Sequence, residues 1–299
     1  MMYRTFSRYA FFLALFGLFL GCKKERSQSD LTEQEELQIA LAAVRGDAQV
    51  SFAREEVFDN VLGVNTDVGI GGTGIFGRRL SPDSLACVTI TLQHLGSGAF
   101  PLRVTLDFGS GCTARDGRNR SGRIMIEYTG RLTEPGAQAT TTFDNYHIDS
   151  LAISGTHLLQ NVTPPGTGPV SGRRYLITVT DGRIERPNGS YVQWSGQRQL
   201  QQTEGFATPH PSDDVFSVTG GATGTLRTGN LISTWTSRIE SPLRKSFDCR
   251  WIRQGTVRTH RGLGSGGGRW DGLLDYGGGN CDNSASFTLN NSTYQISLP

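Results

Sequence analysis

The sequence has little that would span a membrane and little that would hold a cofactor. Its longest apolar run, Tyr9 to Leu20, is twelve residues, and a helix needs about 20 to cross the hydrocarbon core. No Cys-x-x-Cys and no paired His occur, so a zinc site has no framework. No Gly-x-Ser-x-Gly and no His-Glu-x-x-His occur, which removes the common hydrolase and metalloprotease signatures. Lysine is nearly missing: Lys23, Lys24 and Lys245 are three of 29 basic residues. Charge of one sign is also missing. The 29 basic residues face 27 acidic ones, and two of the basic ones, Arg4 and Arg8, precede the apolar run. Without residues 1–21 the chain is neutral, which excludes nucleic-acid binding driven by charge.

Glycine is abundant, with 39 of 299 residues. It has no three-residue period, so collagen is excluded. One stretch, Gly69-x-Gly71-x-x-Gly74, matches a dinucleotide fingerprint, but no βαβ unit surrounds it, and no nucleotide or other cofactor is expected.

Residues 1–21 have the layout of an export signal: Arg4 and Arg8, the apolar run, then Gly21-Cys22 and the polar Lys23-Lys24-Glu25-Arg26. This resembles a bacterial lipoprotein signal, in which the cysteine after a small residue is lipidated and becomes the new N-terminus. Phe19 and Leu20 depart from the usual motif in a manner typical of Bacteroidetes lipoproteins. The resemblance implies a lipid on Cys22, residues 22–30 as a tether, and a membrane partner through that lipid. The implied address is the cell envelope at the outer membrane, with the periplasmic and outward faces both open.

Four further cysteines, Cys87, Cys112, Cys249 and Cys281, make an even set in an exported chain, which suggests two disulfides. An internal similarity favours one pairing. Cys87, Leu95-Gly-Ser-Gly98, Asp107-Phe-Gly-Ser-Gly-Cys112 is matched by Cys249, Leu263-Gly-Ser-Gly266, Asp275-Tyr-Gly-Gly-Gly-Asn-Cys281. Each copy folds as a hairpin about its glycines, so Cys87–Cys112 and Cys249–Cys281 are expected.

The spacing of apolar residues predicts a helical neck over residues 31–65. Asp30 and Glu33 form a capping pattern, Gly46 can end a first helix, and Val50 to Val61 suggest a second. The neck would pack as a cap on a single β domain over 66–299. There, alternating runs such as Ile124/Ile126/Tyr128, Tyr175/Ile177/Val179 and Tyr294/Ile296/Leu298 recur between turns at Asp116-Gly117, Pro135-Gly136, Asp181-Gly182 and Pro187-Asn188-Gly189. The expected fold is mainly β. It is a twisted antiparallel meander curling into a sandwich or half-open barrel, with a short N-terminal helical segment. Interior glycines at 130, 155 and 196 suggest bulges.

The segments Val104–Cys112, Asp116-Gly-Arg-Asn-Arg-Ser-Gly-Arg-Ile124, Tyr128-Thr-Gly-Arg131 and Thr142-Phe-Asp-Asn-Tyr146, with the later Asp275-Tyr-Gly…Cys281-Asp282, resemble a family of Bacteroidetes lipoproteins. The resemblance implies the compartment and a β-rich fold and brings no catalytic residue.

No residue singles itself out for catalysis or metal binding. His147 and His157 could share a face of neighbouring strands but read as sheet-surface residues. Asp213-Asp214, Asp144 and Asp149 read as turn residues without cation-site spacing. Trp194, Trp235, Trp251 and Trp270 read as core strand residues. Ser84 and Ser150, in Asp-Ser-Leu tripeptides, match the O-glycan acceptor of Bacteroidetes. The functional expectation is a non-catalytic envelope protein that binds or scaffolds. The alternatives are a carrier of an apolar ligand, which needs a concave apolar face, and a glycan hydrolase, which needs paired carboxylates in a cleft.

Overall fold

The computed structural model describes residues 32–77, 87–114, 116–166, 172–206, 208, 211–261 and 270–299. One long helix, α1 (Glu33–Gly63), is followed by fourteen strands. They are β1 (Thr89–His94), β2 (Leu102–Asp107), β3 (Cys112–Thr113), β4 (Asn119–Tyr128), β5 (Gln138–Ile148), β6 (Leu151–Asn161) and β7 (Arg174–Glu185). The second half holds β8 (Tyr191–Glu204), β9 (Val215–Thr228), β10 (Leu231–Ser246), β11 (Gln254–Arg261), β12 (Asp271–Gly278), β13 (Ser284–Leu289) and β14 (Ser292–Ser297). All belong to one antiparallel sheet in sequence order from β1 to β14, with the two-residue β3 paired to β4 off the main path. Among the described residues the sheet is not closed, consistent with the expected meander curling into a curved sheet or sandwich.

The curvature comes from a line of bulges across the sheet. Register shifts fall between Ser121 and Arg123, Ser154 and Thr156, Val179 and Gly182, Arg238 and Leu243, and Gln254 and Thr256. Gly155 adopts φ 109° there, and a Cβ on it would lie 2.6 Å from the Asp181 carbonyl oxygen. Only glycine allows that conformation and approach together. Pro242, which would break a central ladder, falls within the register shift of β10. Asp181-Gly182, expected as a turn, is one of these bulges inside β7: Asp181 has φ 50° and the strand continues past it.

The sheet wraps around α1. The helix buries Ala40, Ala43, Val44, Val50, Val57, Phe58 and Val61 in the same apolar core as Val104, Ile126, Tyr175, Trp194, Phe216 and Trp235 of the strands. Phe58 meets the rings of Tyr175, Phe216 and Phe247 at 5.7, 5.7 and 5.9 Å. Tyr128 Oη donates to the Val61 carbonyl at 2.8 Å. The expected neck of two helices is therefore one helix and part of the core. Gly46 does not end it. It sits inside α1, where Val192 of β8 approaches so closely that a Cβ would meet Cγ2 at 2.8 Å. The capping box is formed by Thr32 and Glu35, and Asp30 lies outside the described residues. The C-terminal end is closed by the glycine stretch. Ile70 and Gly71 N–H donate to the Leu62 carbonyl at 2.9 and 3.0 Å, and Ile75 N–H donates to Asn60 Oδ1 at 2.9 Å. Those glycines thus satisfy the last carbonyls of a helix.

Candidate functional site

The two expected disulfides are formed, Cys87–Cys112 with Cα atoms 5.5 Å apart and Cys249–Cys281 at 5.7 Å. The similarity between the two copies is geometric as well. Thr89 opposes Asp107 and Ile90 opposes Leu106; Thr256 opposes Asp275 and Val257 opposes Leu274. Asp107 Oδ1 accepts the Gly109 N–H at 2.8 Å, and Asp275 Oδ1 accepts the Gly277 N–H at 2.8 Å. Leu263–Gly266 of the second copy lie outside the described residues.

A cleft of about 470 Å³ lies over α1 between these two flanks. Its floor is Phe52, Glu55, Glu56 and Asp59, spaced three and four apart so that they share one helix face. One wall is Asp116 and Arg118 of the β3–β4 turn. The other is Phe247, Asp248, Cys249 and Arg250 of the β10–β11 loop. Gly71–Gly74 and Pro211 also border the cleft.

Two buried cations stand behind the floor. Arg120 of β4, fully buried, places Nη2 2.7 Å from Glu56 and 2.6 Å from Asp116. Burial penalises this guanidinium, yet Glu56 and Asp116 raise its pKa overall. Burial likewise pushes Asp116 up, but Arg120 outweighs it and the carboxyl ends below its ordinary range. Lys245 of β10, 2% exposed, lies 2.9 Å from Asp59 and 3.3 Å from Glu55. Asp59 is pushed up to about 7 by burial, against the pull of Lys245. A carboxyl shifted toward neutrality in a cleft is a candidate for acid–base work. Including Arg120 and Lys245, the carboxylates of the cleft are almost balanced by cations. A cationic ligand gains little there. The lining offers carboxylates and arginines beside Phe52, whose ring lies under the Arg118 guanidinium at 4.3 Å, and Phe247, which stacks on Phe58.

Of the residues singled out earlier, few reach this cleft. Cys22 and Ser84 lie outside the described residues. Ser150 is exposed in the β5–β6 turn, away from the cleft lining. His147 and His157 are not brought together: His147 opposes Ala152, and His157 opposes Thr141. His157 is not a surface residue but is 2% exposed, its ring edge-on to Phe143 and Trp194. Asp144 pairs with Arg123, and Asp149 with Arg118. Asp214 is not a free turn residue. It is buried beside Gln202 and Arg173 and pushed up to about 6 by burial. Trp194, Trp235 and Trp270 are core residues, whereas Trp251 sits in the β10–β11 loop and donates to the Pro299 carbonyl at 3.0 Å. Sequence reasoning missed Glu55, Glu56, Asp59, Arg120 and Lys245. One signal was present: Lys245 is the only lysine after residue 24, in a chain that otherwise uses arginine.

Among the described residues, no group of three or more His, Cys, Asp or Glu could hold a metal ion, and no helix is long and apolar enough to cross a membrane. The two disulfides fit an oxidising compartment. No family model, no curated protein and no solved structure matches the chain.

Proposed function

We propose that this is a lipid-anchored cell-envelope protein, tethered through Cys22, that binds a neutral polar ligand without transforming it. The observation that carries the binding is the cleft over α1, with its aromatic and charge-balanced lining between two disulfide-closed flanks. The signal-like residues 1–21 and the likeness to Bacteroidetes lipoproteins support the anchor and the outer membrane. An apolar-ligand carrier has less support, because α1 fills the concave face that an acyl chain would need. Mass spectrometry of material copurifying with the full chain tests the binding. A small polar compound or glycan, lost in a Phe52→Ala/Phe247→Ala variant, is expected, and a stoichiometric lipid would overturn the reading. Radiolabelled fatty acid should enter the wild type and not Cys22→Ala.

One observation favours a second reading, glycan hydrolysis: Asp59, pushed up to about 7, shares the cleft with Glu56 and Asp116. Product release from a glycan, abolished in Asp59→Asn, would replace the binding reading by this one.

A further inference from the structure

Lys245 is the only lysine after residue 24, in a chain that carries its other basic charge on arginine. It stands on β10 opposite Phe216 of β9 and is 2% exposed. Its Nζ lies 2.9 Å from Asp59 Oδ1, 3.0 Å from Asp59 Oδ2 and 3.3 Å from Glu55 Oε2. A nitrogen so close to both oxygens of one carboxyl is also within about 3.5 Å of the carbon between them, the separation of a pair poised to react. Glu55 and Asp59 are one turn apart on the same helix face. The Phe247 ring lies 5.4 Å from Nζ and packs against Phe58 and Phe216, while Asp59 also lines the cleft.

An ion pair does not by itself call for lysine here. Arginine makes such a pair at Arg120 with Glu56 and Asp116. It stays charged when buried, whereas an amine can lose its proton and become a nucleophile. A proton passed from Lys245 to Asp59 leaves an amine facing a neutral carboxyl, and burial favours that uncharged pair. Burial pushes Asp59 up to about 7, although the two carboxylates outweigh burial at Lys245 and raise it.

We infer that Lys245 and Asp59 condense into an intramolecular amide, with Glu55 relaying a proton. Lys245 first gives one proton to Asp59. The Nζ lone pair then attacks the Asp59 carboxyl carbon, and Glu55 takes a second proton from nitrogen. Glu55 returns that proton to the carboxyl hydroxyl, the carbon–oxygen bond breaks, and one water leaves through the cleft. Ammonium and carboxylate become amide and water, so no oxidant, reductant or activated group is needed. Well-oriented pairs reach effective molarities of about 10⁵–10⁸ M, which drives a condensation that free amines and acids do not undergo in water. The product ties α1 to β10 across 186 residues of sequence by a bond that reduction cannot open. It turns Asp59 into an amide at the edge of the cleft. That leaves the binding reading standing, removes the hydrolytic one, and confines titration of Asp59 to chains that have not closed the bond.

Peptide mapping of the reduced and alkylated full chain tests this. Trypsin should leave Lys245 uncut and give a branched peptide joining residues 55–78 to 245–250, lighter than the sum of its two parts by one water. Lys245→Arg should lack it. Glu55→Gln, which keeps the side chain's shape, should yield the two linear peptides instead. Residues 246–250 released as a linear peptide from the wild type, water lost instead at Asp116-Gly117 or Asp181-Gly182, or a branched peptide undiminished in Glu55→Gln would each overturn the inference. If neither variant folds, the wild-type map decides alone.

Discussion

The two disulfide-closed strand pairs, β1–β2 and β11–β12, have the same local chemistry and opposite surroundings. In both, a threonine faces an aspartate at the base, the aspartate caps a glycine N–H, and a cystine follows. Yet β1 is the sheet's first strand and is exposed on both faces, while β11 lies between β10 and β12 and buries alternate residues. The motif sets the turn and the register; neighbours decide what is buried. The means of anchoring differ too. The base of the first pair is tied to α1 by the buried Arg120, which stands opposite Cys112 in register. The base of the second is tied by Arg253, part-exposed, to the Gly279 carbonyl and to Asp248 at 3.7 Å.

The largest effect should come from that difference in anchoring. Arg120→Met leaves the half-buried Glu56 and Asp116 without their cation and should cost about 3 kcal/mol in denaturant unfolding. Arg253→Met removes a more exposed interaction and should cost under about 1 kcal/mol. Equal losses would mean that the two pairs are anchored alike.

The disulfides come next. Loop-closure entropy for spans of 25 and 32 residues gives roughly 3–4 kcal/mol each and separates them by only about 0.2 kcal/mol. Replacing each cystine by two serines should therefore destabilise almost equally. A clearly larger loss at Cys249–Cys281 would show that this bridge also holds the β10–β11 wall of the cleft in place, and ligand affinity should then fall with it.

A pH experiment separates both pairs from the interior beneath α1. His157 titrates near 3 in the fold, well below its unfolded value of about 6.5. Between those values the unfolded chain binds the proton that the native state refuses, so stability falls as pH drops through that window. His157→Phe should remove this component, about 1.4 kcal/mol per pH unit and roughly 2 kcal/mol by pH 5. Asp59, raised to about 7, acts in the opposite sense: its contribution falls as pH rises from about 4 to 7. The His157 component should persist in both cysteine-free variants. Its loss in one would couple that strand pair to the interior.

Much of this fold is legible in local pattern. Period-two alternation locates β4, β7 and β9, and repeated spacing pairs the cysteines. The continuity of α1 is not legible, because Gly46 reads as a stop until Val192 is known to press against it from β8. Asp181-Gly182 reads as a turn because a bulge and a turn use the same residues, and only pairing on both sides separates them. The cleft is hidden for a related reason. Glu55, Glu56 and Asp59 look like the solvated face of a helix, and what buries them, Arg120 and Lys245, arrives 64 or more residues later.

The smallest expected effect tests the comparison most directly, because it sets equivalent positions against each other. Ile90 and Val257 are both one step from the threonine–aspartate pair and both oppose a leucine. Ile90 is 39% exposed and Val257 is 1% exposed. If the motif itself supplied stability, Ile90→Ala and Val257→Ala would cost similar amounts. If burial supplies it, Val257→Ala should cost ~1.5 kcal/mol through lost contacts and an unfilled space, and Ile90→Ala under about 0.5 kcal/mol. Leu92 beside Ile90 and Leu95 just past the strand are also exposed, and this edge strand has no charge and no proline to protect it. Leu92→Lys should therefore leave unfolding unchanged and, if anything, raise solubility. A loss of more than about 1 kcal/mol at Ile90 or Leu92 would mean that this strand is covered in solution, and the contrast between the two pairs would fail.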